Sequence, residues 1–280
     1  MFQEETYLEG RGSQVGKAEV CKTFMHRFDS GPRLHASGII FCTMLKCWPL
    51  VAATALVSLA AGATAMSVWR TRPLQVVDAY HVWYNKNDQS TYNNTRWLGV
   101  ETQQCPLDMW VYQEMLTELK PDILIEAGTY QGGSAYFFAS IFYLLKHGRV
   151  ITVDIEDYAG KPKHDRITYL LGSSTSDPIM ETITRMILPG EKIMVILDSD
   201  HHKPHVLNEM KRYGRLVSPG NYLIVQDTHF NGHPILPKFG PGPMEAVEEF
   251  LQSNSDFQPD PSREKFGMTF NPRGFLKRLR

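Results

Sequence analysis

Four short apolar runs, spaced so that helices fit between them, constrain this chain more than any other feature: 122–127 (DILIEA), 149–154 (RVITVD), 192–198 (KIMVILD) and 222–227 (YLIVQD). They are continuous rather than alternating, which is the pattern of strands covered on both faces. Helical patterns at 134–146, 177–187, 204–217 and 244–251 separate or follow them. A further helix is expected over 106–120, where Met109, Trp110, Tyr112, Met115, Leu116 and Leu119 keep helical spacing and Pro106 suits a first turn. Strand and helix alternating in this way predict βαβ units, hence a doubly wound, mostly parallel α/β sheet over residues 76–280. Strand-like segments are expected again within 265–279, which ends in LKRLR.

The rest of the chain reads differently. Residues 1–46 are polar and interrupted by Gly10, Gly12, Gly16, Gly31 and Pro32, which predicts a disordered segment. From 48 to 69 no residue is charged, and an N-terminal hydrophobic helix of that length suffices to cross a bilayer, which takes about 20 residues. The expected division is therefore a disordered segment at 1–46, a membrane anchor or signal segment at 47–70, and the folded domain at 76–280. Arg70 and Arg72 on one side and Lys46 on the other leave the orientation open. Ala63-Thr64-Ala65, with Met44-Leu45-Lys46 as a basic start, is also the pattern of a cleavable signal. A single-pass anchor, a secretory or organellar targeting segment and a buried core helix all stay open.

Charge excludes one class of partner. The chain carries 29 Lys and Arg against 30 Asp and Glu, without the basic excess that nucleic-acid binding requires. Cys21, Cys42, Cys47 and Cys105 form no CxxC pair, which argues against a zinc site or a disulfide framework.

In a doubly wound sheet ligands bind beyond the carboxyl ends of the strands. The first such end reads Glu126-Ala-Gly128-Thr-Tyr-Gln-Gly132-Gly133-Ser134. Its glycines let the backbone approach a ligand, and the following helix offers free N–H groups. The spacing differs from GxGxxG and an acid precedes it. That favours a nucleoside cofactor of the S-adenosylmethionine type over a dinucleotide, with an ordinary tight turn as the alternative. Asp154, at the next strand end, can accept both ribose hydroxyls, and Glu156 stands near it. Asp198 and Asp227 end two further strands and can aim oxygens at one point, with Asp200 and Gln226 beside them. Hard oxygen ligands suit Mg²⁺, although Asp200 and Asp227 are equally able to cap the next helix or loop. His201, His202, Lys203 and His229 lie beside these acids and are the candidates for proton transfer. Gly240-Pro-Gly-Pro243 and 229–234 (HFNGHP) are placed on the substrate side.

Taken together, Trp97-Leu-Gly99, Pro106-Leu-Asp108-Met-Trp110, Glu126-Ala-Gly-Thr with Gly132-Gly-Ser134, Asp198/Asp200-His201, Gln226-Asp227-Thr228, Gly240-Pro-Gly-Pro243 and Thr269-Phe-Asn-Pro272 resemble the cephalosporin hydroxylase/rhamnosyl O-methyltransferase family. The resemblance runs over residues 79–280 and leaves 1–75 untouched. It implies a Rossmann-like S-adenosylmethionine methyltransferase fold with a divalent metal near the methyl donor. By position, Glu126, Gly128, Gly132, Gly133, Ser134 and Asp154 would hold S-adenosylmethionine, and Asp198 and Asp227 would hold Mg²⁺. Gln226 departs from the family, whose antibiotic-modifying members often carry a carboxylate there, so a neutral oxygen or Asp200 would complete the site.

The expected activity is Mg²⁺-assisted transfer of a methyl group to a hydroxyl of a sugar, a glycolipid or a small secondary metabolite. Its rivals are a metal-dependent glycosyltransferase reading Asp198-Ser-Asp200 as a D-x-D, a membrane-tethered S-adenosylmethionine-binding protein without turnover, and a nicotinamide oxidoreductase, which the glycine spacing disfavours. No nucleic acid is expected as partner; membrane association through 48–69 and a homo-oligomer are compatible with the sequence.

Overall fold

Residues 75–280 are described by the computed structural model; the expected disordered segment 1–46 and hydrophobic helix within 47–70 lie outside the described residues. Among the described residues no helix is long and apolar enough to cross a membrane. Helix α1 (75–86) leads into a small antiparallel hairpin of β1 (Arg96–Trp97) and β2 (Val100–Glu101). After it come α2 (Pro106–Leu119), β3 (Ile123–Ala127), α3 (Gly133–Leu145), β4 (Arg149–Asp154) and β5 (Ile167–Leu171). The chain continues through α4 (Asp177–Met186), β6 (Ile193–Leu197), α5 (Lys203–Tyr213), β7 (Tyr222–Val225), α6 (Pro243–Ser253), β8 (Phe257–Pro259) and β9 (Phe275–Arg278).

The large sheet has the order β5-β4-β3-β6-β7-β9-β8. Its first five strands are parallel, while β9 runs antiparallel to β7 and β8 antiparallel to β9. The continuous apolar runs have their explanation in the pleat. Ile123, Ile125, Val195, Leu197, Leu223 and Val225 pack with α4, α5 and α6, whereas Leu124, Met194, Ile196, Tyr222 and Ile224 pack with α2 and α3. Both sets of positions are therefore apolar, and burying each such side chain contributes about 1.5–3 kcal/mol. The chain leaves β3 toward β4 and β5, then returns to β6 on the other side, so the switch point lies where Gly128 and Asp198 follow β3 and β6.

The structure corrects several expected boundaries. β7 ends at Val225 because Asp227 takes a left-handed backbone, and α5 stops at Tyr213 rather than running to 217. Within 265–279 only Phe275–Arg278 is a strand, and it pairs with the unforeseen β8. β5 was also unforeseen: at the sheet edge its residues are half-buried, or exposed at Leu171.

Candidate active site

A cavity of about 640 Å³ lies over the carboxyl ends of β3, β4, β6 and β7. The turn from β3 into α3 forms one part of it. Gly128 has a φ of +97°, and a Cβ there would stand 1.9 Å from the Asp198 carbonyl oxygen, so only glycine lets the two strand ends lie this close. Gly132 precedes α3 at φ +80°, and no side chain caps the helix, which leaves its first N–H groups without a side-chain acceptor. At Gly133 a Cβ would meet the Glu101 carbonyl oxygen at 2.0 Å. That close approach brings segment 101–104 into the cavity wall, together with Ser134.

Glu126 lies beneath this turn rather than on the cavity lining. It is buried; Oε2 accepts the Thr152 hydroxyl at 2.6 Å, and Oε1 has no hydrogen-bond partner. Burial raises its pKa to about 7. Asp154 lines the cavity, with Oδ2 accepting the N–H groups of Thr129 (3.0 Å) and Tyr130 (2.8 Å) and Oδ1 accepting that of Glu156 (3.0 Å). It thus braces the glycine turn from the β4 side. Glu156, exposed, lines the same wall. Open glycine backbone and the uncapped start of α3 fit a nucleoside cofactor, while Glu126, off the lining, is held by Thr152.

The acidic end is assembled from three residues. Asp198, His201 and Asp227 each offer one ligand atom, all within 4.8 Å of one another. Gln104 Nε2 donates to Asp198 Oδ2 at 2.8 Å, and His201 Nε2 lies 3.3 Å from Asp227 Oδ2. Asp227 has a φ of +56°, held by its N–H donating to Asn271 Oδ1 at 3.1 Å. Burial, then the charges of Asp227 and Glu126, hold the Asp198 carboxyl well above the usual carboxylate range. Burial raises Asp227 too, against the opposing His201. Two carboxylates crowded in this way fit a divalent cation, which would cancel their repulsion, and their oxygens suit Mg²⁺.

The remaining candidates are placed differently. His229 lines the cavity, packed against the rings of His81 (4.9 Å), Phe230 (4.9 Å) and Phe270 (4.5 Å). Burial holds its pKa well below the ordinary imidazole value, so it is neutral. Asp200 reaches the cavity, but its Oδ1 accepts from the His202 N–H (2.8 Å) and ring Nδ1 (2.7 Å). His202 is exposed and stacks on Phe239. Lys203 pairs with Glu249 at 2.8 Å. Neither is on the lining, and Gln226, 2% exposed, is not on it either. Asp200 and Gln226, expected as metal ligands, and His202 and Lys203, expected as proton carriers, thus stand apart from the cluster of Asp198, His201 and Asp227. Gln226 continues the β7 pleat into covered structure, and α5 begins at Lys203, whose partner belongs to α6.

Gln104, Tyr92 and Phe270 line the cavity without having been foreseen. Asn271, which positions Asp227, donates to the Tyr112 hydroxyl at 2.7 Å, and the neighbouring Phe270 N–H donates to buried Asp108 at 2.8 Å. The motifs around Asp108 and Asn271 are thus a brace for the acid of β7. Gln104 had no signal beyond its polar run before Pro106.

The chain is similar to known proteins. The family described as Rhamnosyl O-methyltransferase/CmcI matches residues 89–279. A rhamnosyl O-methyltransferase of Mycobacterium bovis (strain BCG / Pasteur 1173P2) is 44% identical over 211 residues, covering 72% of this chain and 85% of that protein. One of Mycobacterium leprae (strain TN) is 42% identical over 210 residues, covering 72% and 90%. The solved apo-structure of CmcI shares the fold, with a TM-score of 0.52 at 24% identity over 67% of this chain and 77% of that one.

Proposed function

The chain belongs to the Rhamnosyl O-methyltransferase/CmcI family and is an S-adenosylmethionine-dependent O-methyltransferase; from that premise we propose that its acceptor is a sugar hydroxyl, methylated with the help of Mg²⁺. The convergence of Asp198, His201 and Asp227 beside the glycine turn carries this reading. Asp198 and Asp227 would hold the cation, which when bound makes an acceptor hydroxyl easier to deprotonate. His201 Nε2 takes the hydroxyl proton, and Asp227 Oδ2, 3.3 Å away, stabilises the charged ring. The acceptor oxygen then bonds to the methyl carbon as the carbon–sulfur bond breaks, leaving S-adenosylhomocysteine. His229 stays neutral and, with Tyr92, Phe230 and Phe270, offers an apolar wall for the C–H face of a sugar ring while excluding water.

The glycosyltransferase reading has less support, since the Asp200 carboxylate is taken up by His202 instead of converging with Asp198. Residues 48–69 would hold the domain at a membrane; alkaline extraction of membranes carrying the full chain should leave it in the pellet, and release into the supernatant would contradict that role. The activity is tested by incubating the full chain with S-adenosylmethionine, Mg²⁺ and a rhamnosyl glycolipid. Equal amounts of methylated sugar and S-adenosylhomocysteine are expected; sugar transfer from a nucleotide sugar, or no turnover on any sugar acceptor, would contradict the reading.

A further inference from the structure

α5 buries Val206, Leu207, Met210 and Tyr213, and among them Glu209, which is fully buried. Among the described residues no lysine or arginine pairs with it; the one basic neighbour is His205, Nε2 to Oε1 at 3.3 Å. Glu209 Oε1 accepts the Ser199 hydroxyl at 2.7 Å and the Ser174 hydroxyl as well, while Oε2 has no hydrogen-bond partner. Tyr213 donates to the Ser174 carbonyl at 2.8 Å, fixing the same loop. A buried carboxyl with one bare oxygen costs stability that a leucine at this apolar helix position would not. Ser174, Ser199 and His205 line the cavity, and Glu209 stands behind them.

The consequence is one of proton direction. A serine hydroxyl has one proton to donate and two lone pairs to offer. Glu209 takes the proton of both serines, so toward the cavity each can only accept. His205, whose pKa its hydrogen bond to Glu209 raises, directs Nε2 at the Ser174 hydroxyl oxygen (3.2 Å) and at Glu209 Oε1. Across the sheet the order of strand ends is Ser174 after β5, Asp154 at β4, the glycine turn at β3, Asp198 at β6 and Asp227 after β7. Glu209 Oε1 holds Ser199, which follows Asp198, next to Ser174, so a nucleoside with its reactive sulfur beside Asp198 and its ribose at Asp154 leaves its base the wall lined by Ser174, Ser199 and His205.

We propose that Glu209 is a specificity-determining residue for the base of the cofactor: by taking the hydroxyl protons of Ser174 and Ser199 it makes both obligate acceptors, which select a base carrying an exocyclic amine and reject one carrying an oxo group in its place. This rests on the S-adenosylmethionine reading and deepens it. Glu209 touches neither base nor reacting atoms; it acts through the two serines as a positioning residue.

Calorimetric titration of the full chain with S-adenosylhomocysteine and with its 6-oxo analogue, S-inosylhomocysteine, tests it. The unsubstituted protein should favour the amino compound about a hundredfold, since a site built for a donor leaves its acceptors facing another acceptor in the analogue. In Glu209→Leu the freed hydroxyls can rotate and donate, so the analogue should bind about tenfold more tightly while the amino compound loses affinity. Such a gain is not produced by structural damage. Should Glu209→Leu fail to fold, the Ser174→Ala/Ser199→Ala double variant decides: it should lose about tenfold for the amino compound and gain nothing for the analogue. An unchanged ratio in variants that still bind S-adenosylhomocysteine overturns the role of Glu209. Binding of neither compound by the unsubstituted protein overturns the cofactor reading itself, and this proposal with it.

Discussion

The two ends of the cavity are built in opposite ways. Over β3 and β4 the wall is backbone, with Gly128 and Gly132 at positive φ and the N–H groups of Thr129 and Tyr130 lying on Asp154. Over β6 and β7 it is side-chain charge, with Asp198, Asp227 and His201 drawn together in front of the His81, His229 and Phe270 rings. The first end has no room for added volume, whereas the second depends on the sign and number of its charges. Shape governs donor binding and charge governs reaction, so substitutions at the two ends should separate the two.

The largest effect is expected at Gly128. Gly128→Ala places a Cβ 1.9 Å from a backbone oxygen at a φ of +97°. The variant should lose about 4 kcal/mol or more in urea unfolding and bind no S-adenosylhomocysteine; normal binding would break the claim that this end is set by shape. Next comes Glu126→Gln. The folded pKa of Glu126 is raised to about 7 from 4.5, so the stability it contributes is complete below about pH 4.5 and is lost as pH rises through about 7. An amide keeps the Thr152 hydrogen bond without that loss, and the variant should be about 3 kcal/mol more stable at pH 8, with the advantage vanishing near pH 4. Unfolding curves of both proteins across this range check it, and a difference independent of pH would contradict it.

Gln104→Ala sharpens the comparison from the charged side. It removes the donor on Asp198 Oδ2 and should lower kcat about tenfold while S-adenosylhomocysteine affinity holds. The smallest effect belongs to Lys203→Ala. An exposed pair with Glu249 is worth about 0–1 kcal/mol, and kcat should not move. A kcat collapse there would restore Lys203 as a proton carrier.

These contrasts also explain what could be read in advance. Strands buried on both faces announce themselves as unbroken apolar runs, and β4 lies where the run RVITVD stands. The edge strand ITYLL, half-buried over its first four residues and exposed at Leu171, carries no such signal. Convergence of Asp198 and Asp227 followed from their places at adjacent strand ends. The third member of that cluster was harder, because His201, Gln226 and Asp200 all stand within three residues of one of the acids. Side-chain direction chose among them, and it depends on a left-handed Asp227 and a helix starting at Lys203. Gln104 was out of reach, since a close approach at Gly133 delivers it from another part of the chain.

The most direct measurement sets binding against turnover in Asp227→Asn, with S-adenosylhomocysteine titrated calorimetrically and methyl transfer followed with and without Mg²⁺. The expected result is a Kd within about threefold of the unsubstituted protein, a kcat lower by about a hundredfold or more, and no stimulation by the cation. Loss of binding together with turnover, or turnover that survives, would contradict the division of labour between the two ends.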